Sequence, residues 1–209
     1  MSLIYSEEQV NTYTNSSQFE PEVAALTGGG YVVVWTSDTQ DNADGSYGIY
    51  AQRYTASGVA AGPEFRVNTA TTGHQIDAST VGLSDGGFMV TWTDQTATDG
   101  SSYGVYAQRY DASGIAQGSQ FLVNTFTTND QGTSSIAAYD GGFVVTWYSN
   151  AQDGSSYGIY AQRYTNAGDA DGAEFKVNAT TSGAQTEPDV AAYADGSFVV
   201  VWRSDNQDG

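Results

Sequence analysis

The residues best equipped for chemistry in this chain are acids gathered just behind four tryptophans. After Trp35, Trp92, Trp147 and Trp202 come loops that carry Asp38, Asp41 and Asp44, then Asp94 and Asp99, then Asn150 and Asp153, then Asp205 and Asp208. Calcium takes about six to eight oxygens in irregular geometry, so carboxylates and amides in a loop opened by glycine suit it. Ca2+ is therefore the expected cofactor of these loops, with all nine residues as candidate ligands. The first loop is the strongest, its three aspartates falling at intervals of three. A plainer reading competes: Asp-Gly makes a turn by itself, the Asp side chain bonding its own backbone.

Other polar residues recur. Nine of the fifteen tyrosines fall at Tyr47, Tyr50 and Tyr54 and at the matching positions of two further copies. Such a row could stack on sugars, but its presence in every copy favours packing between repeats. Arg53, Arg109 and Arg163 are half of the six bases. Each is expected to lock its own repeat through carbonyls and an acid, with Glu64, Gln120 and Glu174 available on the following strand. Gln18, Gln75, Gln131 and Gln185 read as loop-bracing amides. His74, the single histidine, is expected in a surface loop. A glycosidase needs two acids in unlike environments, and one acid copied into four equivalent loops offers no such pair. No catalytic residue is expected, and the chain reads as not an enzyme.

These residues sit on a repeated scaffold. The tryptophans are spaced 57, 55 and 55 residues apart, and each ends a valine-rich run such as GGFVVTW. The phrases YGIYAQRY and EFRVNT follow in order, the latter anchored by Asn68, Asn124 and Asn178, with a weaker copy at Asn11. A period of that size denotes an array of one supersecondary unit. Repeats at about 11–67, 68–123 and 124–177, with a partial one at 178–209, are expected to form a single array over residues 1–209. β-branched and aromatic runs broken by Gly-containing turns predict four strands per unit and no helix. The first strand is expected to begin after a polar lead-in, at Pro21, Ser79, Ser135 and Pro188. Tyr31, Val33 and Trp35 alternate with Val32 and Val34, so the second strand is apolar on both faces, which requires stacked sheets. The fold class is all-β, with four-stranded repeats arranged as propeller-like blades. About four blades are expected, the last incomplete or shared by the two termini. The chain stops within a repeated phrase, so it reads as a piece of a longer protein.

The charge narrows the partners. Against 24 acids stand six bases, a net charge of −18, so nucleic acid is repelled. No stretch approaches the roughly 20 apolar residues of a membrane span, so membrane insertion is not expected. Cysteine is absent.

The combined phrases DGGFVVTW, YGIYAQRY and EF-x-VNT resemble a repeat of very large secreted bacterial proteins of the RTX-type, calcium-binding and adhesin-like kind. The resemblance spans residues 7 to 209. It implies a secreted or cell-surface setting, calcium dependence and adhesion. The RTX nonapeptide itself is absent, so its calcium site does not carry over. The expected function is a non-enzymatic extracellular module for adhesion, spacing or ligand binding, with a glycan or a cell-surface protein as partner. The alternative is a carbohydrate-binding, lectin-like propeller.

Overall fold

The computed structural model describes residues 7–41 and 45–205. Alternating apolar runs and glycine turns fold into fourteen strands in four antiparallel sheets, one per repeat. Blade 1 contains β1 (Gln18–Ala25), β2 (Tyr31–Asp38), β3 (Tyr47–Tyr54) and β4 (Phe65–Arg66). Blade 2 contains β5 (Gln75–Gly82), β6 (Phe88–Asp94), β7 (Gly104–Tyr110) and β8 (Ala116–Leu122). Blade 3 contains β9 (Gln131–Tyr139), β10 (Gly142–Asn150), β11 (Tyr157–Thr165) and β12 (Phe175–Lys176). Blade 4 contains β13 (Gln185–Ala192) and β14 (Phe198–Ser204). Strands follow chain order within every sheet, and no helix occurs among the described residues. The all-β, propeller-like reading holds.

The core lies between blades. Val32 and Val34 of blade 1 pack with Phe88, Val90 and Trp92 of blade 2. Leu83 and Met89 of blade 2 pack with Val145 and Trp147 of blade 3. Trp35, Trp92 and Trp147 are buried, whereas Trp202 is half-buried. The reason is register. Each buried tryptophan faces a tyrosine on the third strand, Tyr50, Tyr106 or Tyr160, and β14 has no third-strand neighbour among the described residues.

Repeated polar residues tie strands and blades together. Asn68 accepts the Ile49 amide at 2.7 Å and donates to Gln75 at 3.0 Å. Asn124 and Asn178 repeat the pattern with Val105 and Gln131, and with Ile159 and Gln185. The glutamines then donate to loop carbonyls, Gln75 to Thr72 at 3.2 Å and Gln131 to Thr128 at 2.9 Å, so their bracing role is confirmed. The tyrosines are the packing layer. Tyr110 stacks on Phe88 and donates to the Val67 carbonyl of the blade before, as Tyr164 does to Val123.

The arginine partners differ from expectation. Arg53 donates to the Ala112 and Ser113 carbonyls of the next blade, and Arg109 to the Asn166 carbonyl of the blade after it, at 2.6 Å. Arg53 and Arg109 are long enough to cross the seam and join blades. Arg109 also pairs with Asp85 of its own blade, and Arg163 stays within blade 3, on Tyr139 Oη at 3.4 Å and Asp171 at 3.6 Å. The expected lock within one repeat therefore holds in part. The acids thought to hold them look the other way. Glu64 accepts the Thr12 amide and Glu174 the Thr125 amide, both at 2.7 Å, and Gln120 does the same for Thr69. The Asn11–Thr12 segment docks on blade 1 in the same way that Thr69 of blade 1 docks on blade 2 and Thr125 of blade 2 on blade 3.

Candidate active site at the propeller axis

The first strand of every blade starts earlier than its apolar run. β1, β5, β9 and β13 reach back through the polar lead-in to Gln18, Gln75, Gln131 and Gln185. Each then breaks register once: two residues, Glu20–Pro21, Asp77–Ala78, Thr133–Ser134 or Glu187–Pro188, lie opposite one tryptophan on the second strand. Two residues against one is a β-bulge, a device that re-aims a side chain and that tolerates proline. The first bulge residue has positive φ in all four blades: Glu20 at 53°, Asp77 at 53°, Thr133 at 47° and Glu187 at 53°. None is glycine. Left-handed backbone at such residues costs about 1–3 kcal/mol each and gathers at functional sites.

β1 packs on β5, β5 on β9 and β9 on β13, so the four bulges face a common axis. A cleft of about 450 Å³ opens there, lined by residues of all four inner strands. Its acids are Glu20 and Glu22 from blade 1, Asp77 from blade 2 and Asp189 from blade 4; blade 3 contributes Thr133 and Ser135 instead. The Asp77 amide donates to Glu20 Oε2 at 3.4 Å, and the Thr36 hydroxyl donates to the same oxygen at 3.3 Å. Thr133 Oγ1 donates to Asp77 Oδ2 at 3.4 Å, and its amide donates to the Thr93 hydroxyl at 3.0 Å. Ser135 donates to Asp189 at 2.8 Å, while Glu187 pairs with Arg203 at 3.3 Å.

The environments of the two neighbouring acids differ. Glu20 is exposed and Asp77 half-buried. Burial pushes the Asp77 carboxyl up, and the Glu20 charge pushes it the same way, against the opposing pull of the Thr133 and Thr93 hydroxyls. Two carboxyls in unlike surroundings can serve as acid and base. Such a pair is absent from the rim loops among the described residues and arises instead at the axis. The axial pair lay in segments read as lead-in. One sequence signal marks them: Glu20, Asp77, Thr133 and Glu187 are one repeat position filled by three residue types.

The expected calcium ligands lie elsewhere, one loop per blade at the rim. Asp38 accepts the Ser16 hydroxyl. Asp41 accepts Tyr50 Oη at 2.6 Å and Asn68 Nδ2 at 3.1 Å. Asp94 accepts the Thr96 amide at 2.8 Å, and Asp99 the Ser101 amide at 3.0 Å. Asn150 ends β10, its amide on the Asp130 carbonyl at 2.9 Å. Asp153 accepts the Ser155 amide at 3.2 Å and has Lys176 at 3.7 Å, while Asp205 pairs with Arg203 at 3.4 Å. Asp44 and Asp208 lie outside the described residues. Asp41 is the spatial equivalent of Asp99 and Asp153, since these three lie over Gly48, Gly104 and Gly158 at the start of the third strands. Among the described residues no group of three or more His, Asp or Glu side chains is placed to hold a metal ion. His74 stays at the rim, its ring 4.3 Å from that of Tyr47. A wider groove of about 780 Å³ between blades 1 and 2 is lined by repeated seam residues such as Tyr50, Tyr110 and Gln120.

No protein-family model and no curated protein matches the chain. Solved structures do. A thermostable family-43 glycoside hydrolase superposes with a TM-score of 0.60 at 15% identity, over 94% of this chain and 69% of that one. The α-L-arabinofuranosidase from Lactobacillus brevis gives 0.55 at 12%, over 90% of this chain and 66% of that one. The Penicillium chrysogenum α-L-arabinanase complexed with arabinobiose gives 0.59 at 11%, over 90% and 59%. At these identities the likeness concerns the fold. It nevertheless overturns the resemblance to RTX-type and adhesin-like repeats; in this fold YGIYAQRY is the third strand of a blade, and its last tyrosine packs the seam, as Tyr110 and Tyr164 do. The expectation of a non-enzymatic adhesion or spacing module falls with it, as does the reading of the chain as no enzyme: these three solved structures of similar shape are glycoside hydrolases, and a further one is an N-acetylgalactosamine deacetylase.

Proposed function

We propose that this chain is a carbohydrate-active enzyme that cleaves glycosidic bonds in the axial cleft. The observation that carries the proposal is Asp77 beside Glu20, two acids in unlike settings, at the one place where all four blades meet. Support comes from the solved structures of similar shape, among them an arabinanase with arabinobiose bound. This chain spans about two thirds of the family-43 enzyme, so activity and substrate stand as proposals.

Asp77 retains its proton longer than an ordinary carboxyl. It donates that proton to the glycosidic oxygen as the bond to the anomeric carbon breaks. Glu20 supplies the negative charge that stabilises the oxocarbenium-like centre and takes one proton from the water that adds to the anomeric carbon. Thr133 and Thr93 hold the acid in place by hydroxyl contact. The partner on this reading is a glycan, met outside the cell. The test is release of reducing sugar from arabinan and xylan oligosaccharides by wild type, Glu20→Gln and Asp77→Asn. Wild type is expected to act, and each folded variant to lose about 100-fold or more in rate. Absence of turnover on every glycan, or full activity of Asp77→Asn, would overturn the proposal.

A further inference from the structure

We infer that blade 2 holds a divalent-cation site of the calcium class between Asp94 and Asp99. Comparison with the other blades carries this. Opposite the bracing glutamines Gln18, Gln131 and Gln185 stand serines: Ser37, Ser149 and Ser204. Opposite Gln75 stands Asp94. The fold therefore needs no carboxylate at this position, yet Asp94 is 1% exposed.

The compensating base is missing as well. Arg66 and Lys176 stand across from Tyr50 and Tyr160, and Lys176 reaches Asp153 at 3.7 Å. Across from Tyr106 the same position is Leu122. Blade 2 has thus gained an acid and lost a base around one spot.

The two acids meet there. Asp94 lies directly opposite Gly104 in the β6–β7 ladder, and Asp99 Oδ2 is 3.2 Å from where a Cβ on Gly104 would stand. Both side chains share that face of the sheet, since residues directly opposite in an antiparallel pair do so. Asp94 Oδ2 and Asp99 Oδ2 are both buried and have no hydrogen-bond partner. In blade 1, by contrast, Asp41 has both oxygens occupied by Tyr50 and Asn68. Two buried carboxylate oxygens without a donor call for a cation, and a small ion completing its shell with water fits an all-oxygen site. The site is separate from the axial cleft and does not depend on the glycan-cleaving reading.

The probes are calcium chloride and terbium(III), whose luminescence reports an ion near an excited indole; the Trp92 and Tyr106 rings lie 6.2 Å apart on the same ladder. Wild type is expected to sensitise terbium, to release it to calcium, and to melt higher in calcium than in sodium chloride of equal ionic strength. Asp94→Ser and Leu122→Lys import the residue types of the other blades, so both should fold, lose the luminescence and the calcium shift, and melt in EDTA no lower than wild type. A wild type without sensitised luminescence, variants that respond as wild type does, or variants that melt lower than wild type in EDTA would overturn the site.

Discussion

The two sides of the tryptophan-bearing strand make opposite use of repetition. Toward the rim, Asn68, Asn124 and Asn178 make the same bonds to the third strand and to the next glutamine in three successive blades. Toward the axis, the bulge facing each tryptophan keeps its backbone but changes its side chain, from Glu20 to Asp77 to Thr133 to Glu187. The adjoining second-strand position varies too: threonine at Thr36 and Thr93, then Tyr148 and Arg203. Identical residues do what every blade needs in order to stand. Differing residues on an identical backbone are free of that duty, and an array that joins them at one axis can assemble a site no single blade contains.

If the comparison is right, repeated residues should cost stability in proportion to burial, and axial ones should not. The largest effect is expected from Trp92→Ala, about 3–5 kcal/mol, measured by urea unfolding. Trp202→Ala should cost clearly less, because its ring is half-buried; equal costs would break the equivalence between burial and role. Next comes Asn124→Ala, which strands the buried Val105 amide and the Gln131 side chain. A loss of about 1–3 kcal/mol is expected, and hydrogen exchange should localise it to the seam between blades 2 and 3.

Arg109→Met should destabilise by about 1.5 kcal/mol through its lost bonds to the Asn166 carbonyl and to Asp85. Since the bond to Asn166 crosses a seam, unfolding should also become less cooperative, visible as a broader thermal transition. An unchanged transition would return the arginine to a role within its own blade.

The smallest effect sharpens the axial side. A carboxyl raised by folding favours the native state while protonated, and that contribution disappears as pH rises through its folded titration point. Asp77 is raised by burial and by Glu20. Relative to wild type, Asp77→Asn should therefore gain melting temperature on going from acid to neutral pH, while losing activity. A constant difference across that range would mean that Asp77 titrates as an ordinary surface acid.

Much of the fold was legible because repetition multiplies weak signals. Four copies of a valine run, a glycine turn and a tryptophan place the second strand without ambiguity, and the Gln and Asn spacing marks the braces. Two features were not legible. Strand β8 runs from Ala116 to Leu122, whereas its counterparts β4 and β12 have two residues each. The inner strands extend into polar segments where a bulge interrupts the alternation of buried and exposed residues, so periodicity ends before the strand does. The site fell in that gap. The rim acids drew attention because they are consecutive in the chain, yet most of them serve local turns and strand ends.

Sequence alone determined the unit of this protein: an all-β repeat, its turns, its buried tryptophans and its bracing amides, all of which depend on neighbours within about 55 residues. Tertiary structure decided what the units do together. Glu20 and Asp77 are separated by an entire blade in the chain and touch only because β1 packs on β5. Asp94, Asp99 and Leu122 become a single uncompensated spot only when three strands lie in register. Strand pairing converts sequence distance into contact, and the chemistry of this chain resides in contacts of that kind.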